Sequence, residues 1–206
     1  NRPHNLSFSG MQYDWDVKKI MKDSIYEVAN HHIGNLRDPR HNISIRENVD
    51  INRIVICNGA TQGLHIAVCA ALAKNENKTV TIAVESPCYA PIVQSPQLFN
   101  HKVIKINRNK PGNDMGFWRI DKTQWLDAIK KSSILMITPI LNPSGWDYHP
   151  EDRNWIVNTC KENDVIIIAD EVYLDSKKRK DDYIPFHNLG NHCISINSLT
   201  KIYSLG

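Results

Sequence analysis

From residue 53 onward, short β-branched runs alternate with stretches of helical periodicity, which is the pattern of βαβ units laid into a mostly parallel sheet. The spacing predicts strands at 53–57, 79–84, 102–106, 134–138, 165–169 and 193–197. Helices are expected between them. Residues 61–74 are rich in Ala and Leu, with Leu64, Val68, Ala71 and Leu72 at helical spacing. Asp121 and Gln124 have capping-box spacing ahead of a helix over 125–131, and Pro150, Glu151 and Asp152 read as the first turn of another, ending near residue 162. The expected fold class is therefore α/β, a mostly parallel sheet sandwiched by helices.

Before residue 53 the pattern changes. An amphipathic stretch with Val17, Ile20, Met21, Ile25 and Val28 leads into a polar segment holding His31, His32 and Arg37, which has no clear periodicity. We read residues 1–52 as an N-terminal arm with a helix. Residues 108–118, with Pro111, Gly112 and Gly116, form the longest loop expected.

Charge and cysteine usage narrow the partners. The 25 Lys and Arg against 22 Asp and Glu leave a net charge of +3 that is scattered, so no nucleic-acid footprint is expected. The basic run Lys177, Lys178, Arg179, Lys180 meets Asp181 and Asp182 at once and reads as a solvated loop. Five cysteines, odd in number and without a Cys-x-x-Cys pair, suit reduced thiols in a cytoplasmic protein. No stretch approaches the ~18 consecutive apolar residues of a membrane helix, so no membrane partner is expected. The histidines lack ligand-like spacing, and no metal site is expected.

In an open parallel sheet, ligands bind outside the carboxyl ends of the strands, so the residues that follow each strand matter most. Asn58-Gly59-Ala60-Thr61-Gln62-Gly63 follows the first predicted strand and opens a helix. It is either an ordinary βα turn or a phosphate site made of backbone N–H groups and a hydroxyl. Glu85-Ser86-Pro87-Cys88-Tyr89 ends the next strand and leaves an aromatic ring at the edge, as a packed loop residue or as a stacking platform. Asn142-Pro143-Ser144-Gly145 reads as a turn that also presents an amide. Asp170-Glu171-Val172-Tyr173 puts a carboxylate at the end of a fully apolar run, where it needs a cation or donors. Ser198-Leu199-Thr200-Lys201 adds a hydroxyl and an amine at the same edge.

With these motifs, in this order and at this spacing, the chain from about residue 53 to Gly206 resembles the class I/II aminotransferases, which use pyridoxal 5′-phosphate on the type I fold. The resemblance implies that residues 53–206 are part of a large cofactor-binding domain whose small C-terminal partner is missing. It implies that Lys201 holds the cofactor as a Schiff base and, once displaced, shuttles the proton. Asp170 would pair with the pyridinium nitrogen. Asn142 and Tyr173 would donate hydrogen bonds to the phenolic oxygen, and Tyr89 would stack on the ring. Ala60 and Thr61, through backbone N–H groups, and Ser198, through its hydroxyl, would hold the phosphate. The implied reaction is transamination between an amino acid and a 2-oxo acid, by a homodimer when full length.

The departures from the family pattern are Thr200, where Ser is common, and a short connection between Arg46 and Arg53. The family's arginines for the phosphate and the substrate carboxylate would fall after Gly206, so a chain ending there is expected to have little activity. The motifs bind a cofactor without choosing which bond breaks, so a lyase, decarboxylase or synthase of the same fold remains an alternative. So does a non-catalytic cofactor-binding module or a truncated pseudoenzyme.

Overall fold

Seven strands run in order through a computed structural model of the chain, which describes residues 38–74, 80–98, 101–108, 117–176 and 183–203. They are β1 (Thr81–Ser86), β2 (Lys102–Asn107), β3 (Phe117–Trp118), β4 (Ile134–Ile137), β5 (Asp147–Tyr148), β6 (Ile166–Asp170) and β7 (Cys193–Ile196). The main sheet has the order β2-β1-β4-β6-β7 and every pairing in it is parallel. β3 and β5 form a separate parallel pair. The helices are α1 (Pro39–Glu47), α2 (Gly59–Ala73), α3 (Ala90–Gln97), α4 (Lys122–Lys130), α5 (Pro150–Glu162) and α6 (Leu199–Tyr203).

The central strands are buried on both faces, which is why they read as continuous apolar runs. Alternate residues nonetheless serve two different cores. Ile82, Val84, Ile134, Met136, Ile166 and Ile168 pack with Leu64 and Val68 of α2 and Ile92 of α3. Ala83, Leu135, Ile137, Ile167 and Ala169 pack on the other side with Trp125 and Ile129 of α4 and Ile156 of α5. The result is a three-layer sandwich with α2 and α3 on one face and α4 and α5 on the other. Among the described residues, no helix is long and apolar enough to cross a membrane.

The sequence reading needs two corrections. The strand expected at 53–57 does not form: Ile51–Arg53 is a 3-10 turn, and the residues after it join no sheet. Ile54 has extended torsions (φ −105°, ψ 126°), yet among the described residues β7 pairs only with β6. A cleft of about 960 Å³ is lined by Val55 and Ile56 from one stretch and by Cys193, Ile194 and Ser195 from the other. β-branched residues favour an extended chain, but a strand exists only where a neighbour supplies its hydrogen bonds.

The second correction concerns the polar segment read as irregular, part of which is helix α1. The Asp38 side chain accepts a hydrogen bond from Arg40 N at 2.9 Å, Pro39 occupies the first turn, and Asn48 ends the helix at φ 50°. Capping residues set this helix, since it has little apolar periodicity to betray it. Elsewhere α4 has the expected cap, Asp121 accepting from Thr123 N and Gln124 N at 3.0 and 3.2 Å. The amphipathic stretch 17–28, with His31, His32 and Arg37, the basic run 177–180 and residues 109–116 of the long loop lie outside the described residues.

Candidate active site

Because the strands are parallel and in register, their carboxyl ends share one edge. Ile137 is level with Ala169, and Asp170 with Ile196. The turns that leave this edge carry the chemistry. Asn142, after β4, donates from Nδ2 to Tyr173 Oη at 3.3 Å, and Tyr173 lies in the turn after β6. Lys201, on α6, has its Nζ 5.9 Å from the centroid of the Tyr173 ring. Ser198 Oγ accepts from Thr200 N at 3.1 Å and so opens the short helix that carries Lys201.

Asp170 is the last residue of β6 and is 5% exposed. Burial pushes its carboxyl up to about 6, opposed by the Val172 N–H it accepts at 3.3 Å and by the Lys201 charge. The turn after β1 reaches the same region. Burial, Glu85 and Asp170 together push the Cys88 thiol up to about 11, against the pull of Lys105 and Arg108.

Helix α2 begins at Gly59, whose φ of +80° is open to glycine at little cost. Asn58 stands at the N-cap but its side chain makes no capping bond; instead its N–H donates to Gln62 Oε1 at 2.6 Å. The first-turn N–H groups, those of Ala60 and Thr61 included, therefore lack a side-chain cap at the positive end of a 15-residue helix.

The sequence-predicted residues thus fall into two sets. Asn142, Asp170, Tyr173 and Lys201 are brought together. Ala60 and Thr61 sit at the start of α2, Ser198 at the start of α6, and Tyr89, 59% exposed, immediately before α3. No hydrogen bond or ring contact among the described residues joins Ala60, Thr61, Tyr89 or Ser198 to the first set.

Sequence reasoning missed two buried acids behind the edge. Glu85, in β1, takes a forked contact from Arg108, which follows β2: Nε to Oε1 at 2.5 Å and Nη2 to Oε2 at 2.8 Å. Glu171 accepts from Tyr183 Oη at 2.9 Å and from Phe186 N at 3.2 Å, which pins the segment around 183–186 under the sheet edge. The signal for both was an acid within or abutting an apolar run, which is tolerable only with partners.

The family model for aminotransferase class I and II matches residues 38–206, most of the chain. The chain belongs to this family. Among curated relatives, the aspartate aminotransferase of Bacillus subtilis (strain 168) is 22% identical over 159 residues, which is 75% of this chain and 38% of the relative. Among solved structures, the N-succinyldiaminopimelate aminotransferase of Mycobacterium tuberculosis superposes with a TM-score of 0.71 at 17% identity, covering 94% of this chain and 53% of that one. The pyridoxal-phosphate-bound C–S lyase of Staphylococcus hominis gives 0.66 at 17% identity, covering 94% and 51%. The chain spans about half the length of the two solved structures.

Proposed function

We propose that this chain supplies the cofactor-binding part of a pyridoxal 5′-phosphate-dependent aminotransferase acting on an amino acid and a 2-oxo acid. The observation that carries the reading is the convergence of an amine, a phenol, an amide and a buried carboxylate at one sheet edge: Lys201, Tyr173, Asn142 and Asp170. The donor set suits the cofactor. Asp170 is a carboxylate held in the interior at an energetic cost, so a protonated ring nitrogen beside it is a matched partner. The uncapped first turn of α2 suits a phosphate dianion.

When bound, pyridoxal 5′-phosphate supplies an electrophilic carbonyl and a ring that accepts electrons. Lys201 Nζ holds it and, when released, moves a proton. Asp170 keeps the proton on the ring nitrogen. Asn142 Nδ2 and Tyr173 Oη orient on the ring's phenolic oxygen, and their mutual hydrogen bond keeps both polar groups at one spot. The N–H groups of Ala60 and Thr61, with the Ser198 hydroxyl, bind the phosphate, and the exposed Tyr89 ring offers a face for stacking. The same reading takes the protein to be a cytoplasmic homodimer. The five unpaired cysteines suit a reducing compartment, and the exposed Ile45, Val55 and Ile56 offer apolar surface for association.

A lyase is the second reading, favoured by the C–S lyase fold that covers 94% of this chain. Both readings need Lys201. The test is to incubate the protein with pyridoxal 5′-phosphate, reduce with borohydride and map the modified peptide by mass spectrometry. Label on Lys201, lost in Lys201→Ala, is expected; label spread over surface lysines, or none, overturns the cofactor reading. Offering amino acids with 2-oxo acids to the longest form of the protein then separates the two reactions. Amino-group exchange supports the transaminase, and products of elimination alone support the lyase.

A further inference from the structure

The carboxyl ends of three adjacent strands are tied by one buried ion pair. Glu85 comes from β1, Arg108 from the residue after β2, and Thr138 from the residue after β4. Both charged side chains are 0% exposed. Beyond the forked contact, Arg108 Nη2 donates to Thr138 O, Thr138 N donates to Glu85 Oε2 at 3.1 Å, and Arg108 N donates to Ser86 O at 2.9 Å. The guanidinium also lies 4.6 Å from the centroid of the Tyr148 ring and 5.6 Å from that of Trp118, so its plane is fixed from a fourth side.

A buried ion pair is a poor device for stability, because an apolar pair of the same shape serves as well or better. What distinguishes this one is where its bonds go. Its carboxylate and guanidinium hold both backbone groups of Thr138, four residues before Asn142, while Glu85 itself stands in β1, three and four residues before Cys88 and Tyr89. A bidentate contact fixes orientation as well as distance, which a single-point lysine contact does not.

We propose that Glu85 and Arg108 are positioning residues: their fork sets the separation between the Cys88–Tyr89 turn and the Asn142 turn, and so the width of the site. The role for the cofactor rests on the reading above. The two can be tested apart, because Cys88 reports on the turn whether or not a cofactor binds.

The variant is Arg108→Lys, which keeps both buried charges and loses the fork. Two readouts are taken well below the melting temperature: the rate at which iodoacetamide modifies Cys88, mapped by peptide mass spectrometry, and the affinity and visible absorbance of pyridoxal 5′-phosphate. Loosening of the turn is expected to speed Cys88 modification and weaken cofactor affinity, each by about tenfold, the worth of roughly one hydrogen bond. An unchanged Cys88 rate overturns the proposal. A changed Cys88 rate with cofactor affinity and spectrum unchanged reduces the pair to a structural one and overturns the positioning role. If the unaltered protein takes up no cofactor, the functional reading fails and the Cys88 rate decides the positioning alone. Should Arg108→Lys not fold, Glu85→Leu combined with Arg108→Met removes both charges together; the Cys88 readout is then the rate constant of the thiolate itself, taken from the pH dependence of modification, because losing Glu85 also removes a charge that raises the thiol.

Discussion

Asn142 and Tyr173 are 31 residues apart in sequence and joined by a hydrogen bond from amide Nδ2 to phenol Oη, 3.3 Å long, that bridges the turn after β4 to the turn after β6. The bond is exposed, so in the cofactor-free protein it competes with water and contributes at most about 1 kcal/mol. Its value lies in placing two polar groups at one point before a ligand arrives.

Tyr173→Phe and Asn142→Ala are therefore expected to shift the melting temperature little and to weaken pyridoxal 5′-phosphate binding by about tenfold each, the cost of one charge-assisted hydrogen bond. The double variant should lose less than the two single losses combined, because the partners hold one another in place. Fluorescence titration of the four proteins checks this, and strict additivity would show that the two side chains act independently.

The uncapped start of α2 predicts a conflict between stability and binding. Asn58→Asp puts a carboxylate where it can accept from the first-turn N–H groups and meet the positive helix end, raising stability by about 1 kcal/mol. The same change sets a negative charge against the phosphate that those groups are proposed to hold. Cofactor affinity is expected to fall as the melting temperature rises. Gly59→Ala should lower both: a Cβ there meets nothing within 4 Å, so its cost is the backbone strain of φ +80°, about 1–2 kcal/mol. Thermal melts paired with titrations separate the two outcomes, and a tighter-binding Asn58→Asp would remove α2 from the phosphate site.

What was legible in the sequence follows from what the sheet demands of each strand. β4 and β6 are buried on both faces, so the apolar runs 134–137 and 166–169 announced themselves, and the polar residues that end or follow them marked the edge. The 53–57 stretch has the same β-branched character, but its state depends on a partner that no local pattern reports. α3 was hidden by its composition, with Pro96 inside it. The pairing of Glu85 with Arg108 spans 23 residues, and Arg108 read as the start of a loop because its partner is fixed by strand order alone. The motifs after the strands singled out Lys201, Asp170, Asn142 and Tyr173, which the structure brings to one sheet edge; the buried ion pair behind them became visible only with the topology.

Asp170 predicts how the protein responds to pH. Its folded-state carboxyl is raised from 3.8 to about 6, chiefly by burial. The folded chain therefore holds a proton more tightly than the unfolded chain, so Asp170 favours folding most below the unfolded value and that contribution is lost as pH rises through about 6. The shift corresponds to about 3 kcal/mol over this window. Asp170→Asn should flatten this part of the stability curve of the cofactor-free protein, leaving it more stable than the original at pH 7. Binding a protonated ring nitrogen reverses the sense, since the ionised carboxylate is then the form with a partner. Cofactor affinity should weaken as pH falls below about 6, with proton release on binding near that pH. Calorimetric titration in buffers of different ionisation enthalpy measures the released proton. Proton uptake instead of release, or an affinity that Asp170→Asn leaves unchanged, would place the cofactor's nitrogen away from β6.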